Sequence, residues 1–182
     1  HAVQILRPKF GHGSDVGGRR TPWIVGGMAV LAAGGLLAAV ATAWTAEARL
    51  PGLALAVVAF VMIGAGGAAA GTSLLALTAS RVALERRPSA AAVVWLMMIA
   101  GFVVTAGVAG ALLDPFSTTR LVMVAAGVAA GAFVLATVAV WGLEGPQGVA
   151  AATTDAPPPA FRAAMAQIWA EPEARRFTLF VF

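Results

Sequence analysis

The chain has 182 residues, of which 60% are apolar and only 11% charged, with a mean hydropathy of +0.88 and a net charge of +4. A water-soluble domain carries about 25% charged residues, so a surface of ordinary polar composition is excluded and the outside of the molecule must itself be apolar. The basic excess does not indicate nucleic acid, because the arginines fall in short clusters between apolar blocks; the absence of cysteine removes thiolate chemistry and leaves the redox compartment undefined.

In chain order, residues 1–10 read as the end of one membrane helix, with no initiator Met or signal-peptide pattern before it. Residues 11–22 form a polar loop, and residues 177–182, Phe-Thr-Leu-Phe-Val-Phe, read as the start of another apolar segment. Both ends therefore look cut inside membrane segments, and the chain reads as part of a longer polypeptide. A hydrocarbon layer about 30 Å thick needs roughly 20 apolar residues in helix. Four stretches between residues 23 and 142 meet that length: Trp23–Trp44, Leu53–Ala79, Ala91–Leu113 and Leu121–Gly142. None contains Asp, Glu, Lys or Arg. Their Ala and Gly content does not oppose helix, because in lipid each backbone group must be satisfied within its own segment.

The connectors set the orientation. Arg7, Lys9, Arg19 and Arg20 precede the first span; Arg81, Arg86 and Arg87 follow the second; Arg162, Arg175 and Arg176 follow the fourth. The alternate connectors hold only Arg49 and Arg120. Ten basic residues against two place the first set in the cytoplasm. Trp23, Trp44 and Trp141 sit at span ends, where amphipathic rings meet headgroups. Pro22 and Pro51-Gly52 also mark span boundaries, where a missing donor costs little. Asp114-Pro-Phe-Ser117 predicts a tight outer turn with Pro at its second position, and such short connections predict that successive helices pack as antiparallel neighbours. Residues 143–176 read as a cytoplasmic connector: Glu144-Gly-Pro and Pro157-Pro-Pro159 mark irregular chain. After it Phe161, Met165, Ile168 and Trp169 recur at helical spacing, as in an amphipathic helix lying on the interface or packed against a loop.

Few residues are placed to carry chemistry. Gly67 with Gly71, and Gly127 with Gly131, have the small-x-x-x-small spacing that brings helix backbones together. Gly64 and Gly66 add small residues to the second span. Thr72, Ser73 and Thr105 could meet a substrate, but hydroxyls in helices usually bond to their own carbonyls. Met62, Met97, Met98 and Met123 offer adaptable apolar surface. His12 lies in a cytoplasmic loop, where a solvated histidine is the simpler reading. Asp15, Asp114 and Asp155 are isolated in separate connectors. Nucleophile elbows, phosphate loops, dinucleotide fingerprints and metal-spaced clusters are all missing.

The loop Gly11-His-Gly-Ser-Asp15-Val-Gly-Gly18-Arg19-Arg20 allows a tight reversal at its glycines, and Asp15 can cap a helix start. On composition alone it is a polar loop obeying the positive-inside rule. Its spacing resembles the signature loop of the major facilitator superfamily, matched at Gly11, Asp15, Gly18, Arg19 and Arg20; Val16 replaces the family's usual basic residue and removes one expected charge contact. The resemblance implies an all-α helical bundle in which the four spans are helices three to six. Residues 1–10 then end helix two, the connector joins two six-helix halves, and Phe177 begins helix seven.

A narrower resemblance is to the PucC/LhaA group, the bacteriochlorophyll-delivery family. It rests on Leu6–Ile24, on Trp95-Leu-Met-Met-Ile-Ala-Gly-Phe102 and on Leu113-Asp-Pro-Phe-Ser117. That group implies a non-enzymatic multi-pass protein of the bacterial inner, intracytoplasmic photosynthetic membrane. It would aid pigment delivery and assembly of light-harvesting complexes. Bacteriochlorophyll would be cargo, with no cofactor required. The implied partners are the lipid bilayer, light-harvesting or reaction-centre polypeptides and pigment-synthesis enzymes, with no nucleic acid. The absence of charge inside the four spans suits a greasy cargo; an alternating-access carrier of a small molecule, with the Gly11–Arg20 loop in its gate, is the alternative.

Overall fold

The computed structural model describes residues 20–143 and 169–172. The chain divides into two compact units, His1–Val149 and Ala150–Phe182. In the first, four helices follow one another: α1 (Thr21–Thr45), α2 (Arg49–Arg81), α3 (Arg87–Leu112) and α4 (Thr118–Val140), with a 3-10 turn at Leu84–Arg86 before α3. All four are long and apolar enough to cross a membrane, and the described residues contain no strand. Each expected span lies in one of these helices, with boundaries shifted by a few residues. Pro22 occupies the first turn of α1, where its missing N–H has no intrahelical partner to lose. Pro51 likewise falls inside the first turn of α2, so that helix starts earlier than expected. With 33 residues, α2 is about 50 Å long at 1.5 Å per residue, more than the hydrocarbon thickness, so it tilts or projects into the headgroups.

The helices α1 and α2 form a close antiparallel pair. Buried Gly27, Gly34 and Ala41 on α1 recur every seven residues. Buried Gly52, Ala59, Gly66 and Ser73 on α2 do the same. A seven-residue repeat keeps one stripe of each helix facing the other, and small residues let the backbones approach. A Cβ at Gly27 would lie 2.6 Å from the Ala70 nitrogen and 2.8 Å from the Gly66 oxygen. At Gly66 it would lie 2.5 Å from both the Gly27 oxygen and the Leu31 nitrogen. These contacts are with backbone, which cannot rotate aside.

On another face, α1 meets α4 across alanines: Ala29, Ala32, Ala33 and Leu36 oppose Ala126, Ala129, Ala130 and Phe133 around an open groove. The three helices share an apolar cluster of Ile24, Leu77 and Val140. Ile24 is near the start of α1, while Leu77 and Val140 lie at the ends of α2 and α4. Those ends therefore share one side, as the basic-residue count requires of a common cytoplasmic face.

One expectation is corrected. The short connections do not make all successive helices packed neighbours: α3 touches α2 and α4 only slightly, and α4 packs on α1 instead. In lipid there is no hydrophobic drive between apolar helices, so a short connector fixes adjacency at one end and nothing along the length. The glycines at four-residue spacing make no close contact among the described residues. A Cβ at Gly71, Gly127 or Gly131 would meet nothing within 4 Å, and at Gly67 it would make an ordinary 3.5 Å contact with Leu31. Among the described residues, close packing belongs to Gly27, Gly34, Gly52 and Gly66. At the outer turn the Asp114–Pro115 bond is cis, and Ser117 caps α4 by accepting from the Arg120 N–H at 3.1 Å.

Candidate functional site

The C-terminal end of α2 is held by arginines. The last four carbonyls of a helix, here including Ala79, have no intrahelical donor, and the whole C-terminal end, Ala76 included, carries partial negative charge. Arg20, one residue before α1, donates through Nη1 to the Ala76 oxygen at 2.8 Å and to Ser80 Oγ at 3.0 Å. Arg87, the first residue of α3, donates through Nη2 to the Ala79 oxygen at 2.6 Å and through Nε to the Val82 oxygen at 3.3 Å. Two guanidinium groups from different segments thus converge on one helix terminus. Arg20 is the member of the expected loop set that the structure describes; Gly11, Asp15, Gly18 and Arg19 lie outside the described residues. Arg87 entered the sequence reading only as an orientation charge. Its first-turn position in α3, five residues beyond Val82 and eight beyond Ala79, was the available signal for its bonds.

The other candidate is α3. None of its 26 residues is buried. Leu96, Met97, Phe102 and Val103 are each about two-thirds exposed, and these residues sit in or beside the Trp95–Phe102 run. The most recognisable intramembrane sequence therefore lies on the helix least used for internal packing. Met98 and Met123 are exposed as well, and Met62 is half-buried.

Clefts flank the bundle. One of about 300 Å³ is lined by Pro22, Trp23, Gly26, Gly27, Val30, Ala65, Gly66 and Ala69. A second, of about 170 Å³, runs between α2 and α3 below Arg87. A third, of about 610 Å³, lies at the outer end between α3 and α4, with Asp114 and Arg120 at its rim. There Arg120 donates to the Asp114 and Pro115 carbonyl oxygens at 2.8 and 3.0 Å, so its charge stitches the turn.

The hydroxyls divide. Thr72 bonds to the Ala68 oxygen of its own helix at 2.6 Å, and Thr42, Thr45, Thr78 and Thr137 do likewise. Ser73 differs: it is fully buried in the α1–α2 seam and its Oγ has no hydrogen-bond partner. Thr105 is exposed on α3. Of the amphipathic set, Phe161, Met165 and Ile168 lie outside the described residues, and Trp169 is half exposed. His12 also lies outside them. Among the described residues no three His, Cys, Asp or Glu side chains gather as a metal site.

Comparison with known proteins adds identity to this geometry. A family model described as PUCC protein matches residues 1–182. The chain is 47% identical over its whole length to a Rhodobacter capsulatus protein named bacteriochlorophyll synthase 44.5 kDa chain, covering 42% of that relative. It is 34% identical to the protein PucC of Rhodobacter capsulatus over 73% of this chain and 30% of the relative. It is 30% identical to the protein PucC of Rhodovulum sulfidophilum over 91% of this chain and 38% of the relative. The chain thus spans less than half the length of these curated relatives. No solved structure matches it. With a family model matching residues 1–182 and a relative 47% identical along the whole of this chain, the chain belongs to the PucC protein family.

Proposed function

We propose that this chain is part of a non-enzymatic membrane protein that helps deliver bacteriochlorophyll and assemble light-harvesting complexes. The observation that carries the reading is α3, which has no buried residue along 26 positions yet holds the run that resembles the family. Among the described residues this leaves an apolar helix face open, and a hydrophobic cargo or an antenna helix could occupy it. Handover is lateral, along that face, and needs no charged pocket. The names of the relatives support a role in pigment supply or antenna assembly. The synthase name belongs to one relative; isolated carboxylates in separate connectors do not supply the clustered acids that would hold a magnesium diphosphate. On this reading α1–α4 are the third to sixth helices of a major-facilitator half. The partners are antenna or reaction-centre polypeptides and pigment-synthesis enzymes, in the intracytoplasmic photosynthetic membrane.

The test is an absorption spectrum of the full-length protein purified in mild detergent. Bound bacteriochlorophyll, or antenna polypeptides that copurify, is the expected result. Pigment-free protein that instead drives ion-gradient-dependent uptake of a polar solute into proteoliposomes contradicts it. The loop is tested separately: Asp15→Ala is expected to lower antenna levels while membrane insertion stays normal, and unchanged antenna levels reject a role for the loop.

A further inference from the structure

The cleft between α2 and α3 has a composition that the assembly role does not use. Its walls are Leu74, Leu75, Thr78, Ala91, Val94 and Trp95, and Arg87 stands over its mouth. Arg87 and Trp95 are eight residues apart on one helix, so the cleft descends about 12 Å from the cytoplasmic interface. That depth is the upper part of an acyl chain in one leaflet. Trp95 is 62% exposed and Leu75 68%, so the cleft is open at its side among the described residues, within a helix pair apolar enough to cross a membrane.

Charge at the mouth is strongly one-sided. Arg81 ends α2, Arg86 closes the 3-10 turn and Arg87 begins α3, all exposed; Glu85 is the single acid in this connection. Arg87 spends its Nη2 on the Ala79 carbonyl of α2 and its Nε on the Val82 carbonyl just beyond it, which holds the guanidinium against the cleft it lines. Arg81 and Arg86 add positive charge to the same short connection between α2 and α3. An apolar cleft beside a fixed cation complements an amphiphile with an anionic head. We propose that the α2–α3 cleft is a binding site for an anionic phospholipid, its phosphate on the Arg81–Arg86–Arg87 rim and one acyl chain against Trp95. Each basic residue near an anionic headgroup contributes about 1 kcal/mol, or about fivefold in affinity. The slot adds a fixed location to that general attraction.

The experiment uses the full-length protein in vesicles, with Trp95 kept and the other tryptophans replaced by phenylalanine. Phosphatidylglycerol or phosphatidylcholine brominated on the acyl chain is added at equal mole fraction, and quenching of Trp95 is read. Brominated phosphatidylglycerol should quench selectively. Arg81→Gln and Arg86→Gln should each reduce the preference about fivefold and the double variant about twenty-fivefold, leaving the share due to Arg87; neither side chain makes the bonds that hold α2. Equal quenching by the two lipids means ordinary annular contact and overturns the proposal. Absence of quenching by either means that a protein segment covers the cleft, and overturns it equally.

Discussion

The α1–α2 pair and α3 are made of nearly the same residues, yet they stand at opposite extremes of packing. In the pair, glycine and alanine every seven residues put backbone against backbone, with no room for one more carbon at Gly27, Gly34 or Gly66. In α3, Gly101, Gly107 and Gly110 meet nothing within 4 Å, and the large side chains point outward. The difference teaches that in a membrane protein hydrophobicity does not separate inside from outside. Shape does, because lipid tails are as apolar as leucine.

The comparison breaks most easily at the seam. Gly66→Val should cost about 3 kcal/mol or more, since overpacking against immovable backbone exceeds the usual 1–3 kcal/mol of a core that can adjust. Gly127→Ala should stay within about 0.5 kcal/mol. Reversible denaturation of the two variants in detergent measures both; equal losses would erase the distinction between seam and open surface. A smaller effect is expected at the cytoplasmic clasp. Arg20→Gln gives up charge-assisted bonds to Ala76 and Ser80, worth about 1–2 kcal/mol at this partly exposed position. Arg20→Lys should recover only part of it, because one ammonium does not reproduce a guanidinium fork. Smaller still, and in the opposite direction, is Ser73→Ala. Removing a buried hydroxyl without a partner is expected to leave stability unchanged or raise it by up to about 1 kcal/mol. A loss of several kcal/mol would mean that Ser73 Oγ is satisfied in the assembled protein. Phe102→Ala on α3 should change stability least, within about 0.5 kcal/mol, while reducing pigment or antenna recovery from membranes.

Much of the fold was legible because charge is so costly in lipid. Arg49, Arg81, Arg87 and Arg120 bound the helices as clearly as any cap, and the uneven placement of arginine set which ends share a side. The partners along the helices were not legible. Gly67/Gly71 and Gly127/Gly131 fit the four-residue spacing of a packing motif, but the seam uses a seven-residue spacing, visible at Gly27, Gly34 and Ala41 once sought. A cost of nearly zero for facing lipid means that either stripe was physically acceptable, and only the alignment of two helices decides. The candidate site was legible in part. Arg20 was singled out by loop spacing, whereas Arg87 and the exposure of α3 depend on contacts that no local pattern encodes.

The central claim is that α3 is left open for a membrane-embedded partner. The most direct test places a photoactivated cross-linking residue at position 102 of the full-length protein, in native membranes, with position 63 on the seam as control. The account predicts adducts with antenna polypeptides or pigment from position 102 and adducts only within the chain from position 63. Adducts from position 102 confined to lipid, or to another helix of the same chain, would contradict it.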